Sequence, residues 1–395
     1  MRILWVKADF LHPTTKGGQI RTLEMLRRLH ARHEIHYVAY ADPGNPEGVA
    51  RSSEYSTVAY PVPLHVAPRS SPRFVWELIE GVLSPLPVSL NRYRKEALGR
   101  KIRELLASQR FDSVVCDFLS AAPNFPSLEG VVLFQHNVET SLWRRHAECA
   151  PDPIRRWFFR NQAARMQRWE GHYCRQAAQV VAVSEVDARA MREMFGVERI
   201  TAVPTGVDID YFARPASVTR TADLVFLGSM DWMPNIDAML YFVREILPLI
   251  RIEKPDCSLA VVGRRPTAAI RDLGARGPLI TITGTVADVR PYLWGAPVSI
   301  VPLRIGGGTR LKIYEAMAAG VPVVSTTVGA EGLDIDPPRN CRIADTPRDF
   351  ARQCLELLDP RTGAAVAASA LEMVSTRFAW ERVTRCFEEI LERAG

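Results

Sequence analysis

Apolar residues along this chain fall into two registers. Short, mostly apolar runs, Ile3–Val6, Ile35–Tyr40, Ser113–Cys116, Val131–Phe134 and Val180–Val183, read as strands. Between them lie segments with apolar positions at helical spacing, the first being Ile20, Leu23, Leu26 and Leu29. Lys95–Ser108, Pro153–Ala177 and Glu185–Met194 read as further helices, whereas residues 41–90, rich in Pro, Ser and Gly, show no clear period. Strand, glycine-containing loop, helix and strand in that order open a doubly wound α/β domain.

The period breaks at Pro204-Thr-Gly-Val-Asp-Ile-Asp-Tyr-Phe212, and a second α/β series then begins. Its strands are Leu224–Leu227, Leu259–Val262, Ile280–Thr283, Val298–Pro302 and Val321–Ser325, separated by helices at Ile236–Ile246, Pro266–Gly274, Val289–Trp294 and Leu311–Ala319. Helices at about 347–358, 362–375 and 379–393 end the chain. The pattern predicts two Rossmann-like domains, 1–204 and 217–376, joined by a linker at 205–216. Residues 377–395 are expected to form a last helix that packs back toward the first domain. Such a pair leaves a cleft in which ligands bind.

Composition narrows the classes. The 395 residues are 47% hydrophobic and 24% charged, as in an ordinary globular protein. The net charge of +6 is too mild to imply nucleic acid but leaves room for a local basic face. Seven widely spaced cysteines, with no Cys-x-x-Cys, suggest neither a disulfide framework nor a zinc site. The apolar run after Met1 is too short for a signal peptide, and no stretch of 18 apolar residues occurs. These features point to a cytoplasmic protein, with peripheral contact to the inner face of the membrane left open. Neither a Gly-x-Gly-x-x-Gly after a strand nor a P-loop motif is present. His30, His33 and His36 straddle a helix end and a strand start, and read as surface residues. Asp208-Ile-Asp210 and Asp334-Ile-Asp336 do not follow strands of one nucleotide-binding sheet and read as chance. No metal site is expected.

The richest chemistry lies in Val301–Val324. Gly306, Gly307 and Gly308 precede a helix starting near Thr309. Backbone N–H groups that can approach closely, the positive end of a helix, and the charges of Arg310 and Lys312 make an anion site. Glu315, further along, suits hydrogen bonds from ribose hydroxyls rather than phosphate. Gly320 ends the helix as a C′ glycine does. In the first half of the chain, Gln135-His136-Asn137-Val138-Glu139 is a polar cluster at the C-terminal end of a parallel strand, where the ligand crevice of such a sheet lies. Asp117, after an earlier strand, reads as structural. The helix from Pro153 carries Arg155, Arg156, Arg160, Arg165 and Arg168 among Trp157, Phe158, Phe159, Met166 and Trp169. An apolar stripe in the core with arginines in water is the preferred reading; a basic face on anionic membrane is the other.

Glu315-Ala-Met-Ala-Ala-Gly-Val-Pro-Val-Val324 resembles the second half of the signature of family 4, retaining glycosyltransferases of the GT-B architecture. Weaker likenesses follow in the family's order: Gly17-Gly18, Val183-Ser184-Glu185, Pro204-Thr-Gly-Val-Asp208, Phe226-Leu-Gly228, Val261-Val-Gly263, Gly284-Thr-Val-Ala-Asp288 and Phe378-Ala-Trp380. Two departures stand out. Gly307 occupies the place of the family's first glutamate, and no basic residue follows Gly228, where the family has an Arg and a Lys for the diphosphate. Arg310 and Lys312 are expected to replace that pair.

The resemblance implies transfer of a sugar from a nucleotide-sugar to a glycan or lipid-linked acceptor, as in exopolysaccharide or cell-envelope polysaccharide synthesis, with retained configuration and no metal or cofactor. It places His136, Gly307 and Gly308 at the reaction centre. Gly228, Arg264, Val286, Thr309, Arg310, Lys312 and Glu315 fall to the donor, and Gly17, Gly18, Arg21 and Glu139 to the acceptor side. A catalytically weak sugar-nucleotide binder, or an epimerase on the same architecture, is the alternative.

Overall fold

The computed structural model describes residues 1–14, 17–64, 81, 84–150, 152–275, 277–305 and 311–394. The chain divides into two units, 1–204 with 381–395, and 205–380.

The first unit holds a seven-stranded parallel sheet: β1 (Arg2–Val6), β2 (Glu34–Ala41), β3 (Val58–Pro63), β4 (Ser113–Asp117), β5 (Val131–Phe134), β6 (Gln179–Ala182) and β7 (Ile200–Ala202). Its spatial order is β3-β2-β1-β4-β5-β6-β7. The central strands are buried nearly throughout, as a parallel sheet covered on both faces requires. β3 carries Pro61 and Pro63 and is an edge strand, where a missing N–H costs little. Ser184 caps the helix Glu185–Phe195 by accepting from the Asp187 N–H, and Gly196 ends it in the left-handed region. The helix Trp380–Ala394 contributes Phe387, whose ring lies 5.6 Å from Trp5 and 5.0 Å from Phe134.

The second unit has six parallel strands, β8 (Leu224–Leu227), β9 (Leu259–Val262), β10 (Ile280–Ile282), β11 (Val298–Val301), β12 (Val323–Ser325) and β13 (Arg342–Ile343), ordered β10-β9-β8-β11-β12-β13. Residues 205–216 pack with this unit. Val207 bridges to Ala379, Phe212 is buried in its core, and the ring of Trp380 lies against Gly206.

Two expectations are corrected. His36 is buried between Glu34, Tyr60 and Phe111, and His33 is held by Glu388, so neither is a surface residue. The helix Pro153–Gln176 buries Met166, Tyr173 and Cys174 in its second half, but in its first turns Ile154 and Trp157 are 80% and 66% exposed. The apolar stripe therefore does not run into the core along the whole helix.

Candidate functional site

In each sheet the strand order reverses once, between β1 and β4 and between β8 and β11. Ligand crevices in open parallel sheets form at the C-terminal ends of strands at such reversals.

At the first reversal Lys7 follows β1 and Asp117 ends β4; both are buried and their charges meet at 3.0 Å. Asp117 Oδ2 accepts from Trp5 Nε1 at 3.0 Å and from Thr22 Oγ1 at 2.7 Å. Its Oδ1 takes a 2.8 Å hydrogen bond from His136 Nε2, from the loop after β5. The His136 ring stacks on Phe118 with centroids 4.1 Å apart, and the Lys7 ammonium lies 4.4 Å from the centre of the same Phe118 ring. Phe118 has φ +73°, a conformation that costs a non-glycine residue about 1–3 kcal/mol and is typical of positions fixed for function. Gly18 explains itself here, because a Cβ on it would sit 2.9 Å from Phe118 and 3.5 Å from His136 Nδ1. Gly17 has open space at the same point. A cavity of about 230 Å³ is lined by Lys7, Asp9, Gly18, Tyr93, Phe118 and Ser120.

Electrostatics set the protonation states. Burial alone would raise the Asp117 carboxyl, but the Lys7 ammonium and the His136 bond outweigh it and hold it well below the ordinary carboxylate range. Burial lowers the His136 pKa, Asp117 opposes that, and Lys7 and Arg21 lower it further, to about 4. The imidazole is neutral at pH 7, with its proton on Nε2 toward Asp117 and an acceptor lone pair on Nδ1. Such a ring is a hydrogen-bonding group for a hydroxyl rather than a cation.

Arg21 is buried. Its guanidinium donates to the carbonyls of Val203 and Pro204 and lies 4.7 Å from the Phe134 ring centre, so it ties down the end of this unit's chain instead of lining the cavity. Glu139 starts the helix Glu139–Glu148, and burial raises its pKa. Its N–H, together with the N–H and hydroxyl of Thr140, is gathered by Glu170 at 2.6–2.9 Å. Burial raises Glu170 to about 7, against these hydrogen bonds.

At the second reversal Gly228 follows β8. Lys312, from the helix Leu311–Ala318, brings its ammonium 3.1 Å from Asn235 Oδ1 and 4.2 Å from the centre of the Phe226 ring. A Cβ on Gly228 would lie 2.8 Å from that Nζ, so the cation stands at the end of β8, where the sequence has no basic residue of its own. Asn235 is buried and anchored by Nδ2 to the Ser229 carbonyl at 2.9 Å. Arg264 Nε donates to Ser229 Oγ at 2.8 Å, joining the loops after β8 and β9. Glu315 is raised to about 7, burial outweighing the Lys312 charge. Val286 is half-buried against the core, in the loop after β10 that turns at Gly284, φ +69°. Gly307, Gly308, Thr309 and Arg310 lie outside the described residues.

The structure thus brings Gly18 and His136 together beside Phe118 at the first reversal, and Gly228, Lys312 and Arg264 together past the end of β8. Sequence reasoning missed Lys7, Asn235 and the tie of Asp117 to His136. The strand-end rule applied to β1 and β4 would have flagged the charge pair. Among the described residues no group of three His, Cys, Asp or Glu is placed to hold a metal. Asp208 caps the helix Ile209–Phe212, and Asp334 pairs with Arg377.

Comparison with known proteins agrees with this layout. Residues 15–211 match the model of Glycosyltransferase Family 4, and residues 221–360 that of Glycosyl transferases group 1. A D-inositol 3-phosphate glycosyltransferase of Nocardiopsis dassonvillei is 25% identical over 57% of this chain and 57% of its own length. An MMP alpha-(1->4)-mannosyltransferase of Mycolicibacterium hassiacum is 25% identical over 61% of this chain and 59% of its own. An uncharacterized 44.6 kDa protein in the cps region of Klebsiella pneumoniae is 23% identical over 34% and 37%. The matches therefore span between about a third and three fifths of these curated relatives. Among solved structures, Anabaena HepE in complex with UDP and glucose superposes with a TM-score of 0.67 at 15% identity over all of both chains. The sucrose-phosphate synthase of Thermosynechococcus elongatus gives 0.70 at 15% identity, covering 100% of this chain and 98% of its own. With both halves matched in order and both sheets of the GT-B kind, the chain belongs to the GT-B glycosyltransferases of group 1 and family 4.

Proposed function

We propose that this protein is a retaining glycosyltransferase that takes a hexose from a nucleotide-sugar and passes it to a glycan or lipid-linked acceptor in exopolysaccharide or cell-envelope polysaccharide assembly. The observation that carries the reading is the Lys312 ammonium at Gly228, held at the sheet reversal of the second unit. As the glycosidic bond breaks, charge builds on the leaving diphosphate. A fixed cation and backbone N–H groups stabilise that charge more in the transition state than in the ground state. Lys312 is such a cation; Arg310, Thr309, Gly307 and Gly308 join it by their place in the sequence, so the charge is met without a metal. Glu315 takes the ribose hydroxyls. On the acceptor side, neutral His136 beside Gly18 orients a sugar hydroxyl through Nδ1. The acceptor oxygen attacks from the face the diphosphate leaves, and the phosphate takes its proton, which retains configuration.

The test is a thermal-shift screen against UDP, GDP, ADP and their sugar conjugates, with UDP-sugars first because HepE is solved with UDP-glucose. A ligand that binds only the folded state raises the melting temperature by mass action. One nucleotide shifting the transition, followed by donor turnover, supports the reading. A shift without turnover under any acceptor would leave a binding protein, consistent with Gly307 in the place of a glutamate. Silence across the set would sink both.

A further inference from the structure

Two cavities of the first unit adjoin at the C-terminal ends of β1 and β2. One is the space of about 230 Å³ beside Gly18 and Phe118. The other, about 270 Å³, is lined by Phe10, Tyr40, Asp42 and Asn45. Asp9 and Gln19 line both, so the two spaces meet at that pair. Gln19 Nε2 donates to Asp9 Oδ2 at 3.0 Å, and the Tyr37 hydroxyl donates to the Asp9 carbonyl at 2.7 Å, which fixes the residue at its side chain and its backbone. Tyr40 donates its hydroxyl to the Tyr93 carbonyl at 2.6 Å, tying a wall of the second cavity to a wall of the first. The charges on the linings are unequal. Among the described residues Lys7 is the one basic group there, and Asp117 already matches it at 3.0 Å. Asp9 and Asp42 have no basic partner among those residues: the Asp9 carboxylate accepts only from the Gln19 amide, and Asp42 Oδ1 only from the Gly44 N–H at 2.9 Å.

We infer that the acceptor occupies both cavities as at least two uncharged sugar units, with hydroxyls donated to Asp9 and Asp42, and that a sugar end carrying a phosphate or carboxylate is refused. The inference rests on the transferase reading. A carboxylate only accepts hydrogen bonds, so its ligand must bring donors. A sugar hydroxyl brings one. A phosphate dianion or a carboxylate brings none and meets two unmatched like charges, which is how a site discriminates by repulsion as well as by fit. A metal ion is not the occupant these residues favour, because among the described residues no group of three His, Cys, Asp or Glu is placed to hold one. Two adjoining spaces set the length of the acceptor. The first, beside Gly18 and Phe118, takes the unit that receives the new sugar, and the second takes the unit before it in the chain. In a lipid-linked acceptor the phosphates then lie beyond the second sugar.

The experiment gives the full-length protein the labelled donor found in the nucleotide screen and two acceptor pools. One holds neutral sugars and oligosaccharides from dextran, mannan and galactan; the other holds acidic ones from alginate, pectin and phosphomannan. Label is expected in neutral products at least tenfold over acidic ones, with disaccharides and longer chains preferred to monosaccharides. Asp9→Asn keeps an oxygen for the Gln19 amide. It should raise the acceptor KM by about ten- to a hundredfold, leave the donor KM unchanged and narrow the preference for neutral acceptors. Asp42→Asn keeps the bond from Gly44 and should raise the KM of a neutral disaccharide but not that of a monosaccharide. Melting temperatures of both variants check the fold, and a damaged fold would not produce that split. Label entering acidic products as readily as neutral ones overturns the inference. So does an unchanged acceptor KM in Asp9→Asn, or an equal effect of Asp42→Asn on both acceptor lengths. Label in neither pool while the donor is still slowly hydrolysed by water overturns it too. A donor that is neither bound nor hydrolysed instead removes the transferase reading on which it rests.

Discussion

One oxygen of Asp117 accepts from His136 Nε2 at 2.8 Å while standing 3.0 Å from the Lys7 ammonium, so a single buried carboxylate both balances a cation and orients an imidazole. Removing it leaves Lys7 charged and unpaired in a site only 2% exposed. Asp117→Ala should destabilise the protein by about 3–5 kcal/mol, the usual cost of stranding one partner of a buried pair. Adding Lys7→Met to that variant should recover part of the loss, because the stranded charge goes. Urea midpoints of the three proteins decide it; a double variant no more stable than the single one would show that the cation is not the source of the cost.

The same triad makes a pH prediction. Burial together with Lys7 and Arg21 puts the folded His136 pKa at about 4, below its ordinary value near 6.5. Between those values the unfolded chain binds more protons than the folded one, so stability rises with pH. The His136 contribution is whole above about pH 6.5 and is lost as the pH falls toward 4, an effect of up to about 3 kcal/mol. His136→Asn has nothing to titrate there. The stability difference between wild type and the variant should therefore shrink on acidification, all other groups being common to both. Chemical denaturation at pH 7, 6 and 5 measures it, and a difference that stays constant would mean that the ring is not buried neutral.

On the donor side, Lys312→Met should weaken nucleotide-diphosphate binding by about ten- to a hundredfold, since hydrogen bonds to charged groups contribute about 1.5–3 kcal/mol. Asn235→Leu removes the acceptor that holds the ammonium at 3.1 Å and leaves the charge itself in place. A milder loss is expected there, seen in donor KM more than in melting temperature. Isothermal titration with the nucleotide found in the screen compares them. If Asn235→Leu bound as wild type while Lys312→Met did not, the Asn235 amide would not be what places Lys312.

Much of this was legible in the sequence, and the exceptions have physical causes. Mostly apolar runs marked most of the strands, because parallel sheets covered on both faces leave no alternation to confuse. β3 was not seen because Pro61 and Pro63 argue against a strand unless it lies at an edge, and edge position is a tertiary fact. Asp117 read as a lone structural carboxylate because its partners Lys7, Thr22 and His136 are distant along the chain and meet only through the pairing of β1 with β4 and β4 with β5. Asn235 carried no signal at all. Its role depends on a helix placing it against both the Ser229 carbonyl and a lysine from a later element. Gly18 and Gly228 stood out by their likeness to the family's motifs, and the space around them supplies a physical reason.

The glycines also give a prediction that separates fold from function. A Cβ on Gly263 would stand 1.7 Å from the Gly228 carbonyl oxygen, a backbone atom just past the end of β8 whose own N–H is hydrogen-bonded to the Val262 carbonyl. A Cβ on Gly228 would instead meet the Asn235 amide at 2.6 Å and Lys312 Nζ at 2.8 Å, both side-chain ends. Gly263→Ala should cost about 3 kcal/mol or more, at or beyond the upper end for overpacking, with the melting temperature falling accordingly. Gly228→Ala should cost less in stability yet displace the Lys312 ammonium, so its loss should appear in nucleotide affinity. Differential scanning calorimetry and nucleotide titration on the two variants give opposite rankings if this holds. Were Gly228→Ala to bind nucleotide as wild type does, the cation at the end of β8 would not be the group that meets the diphosphate.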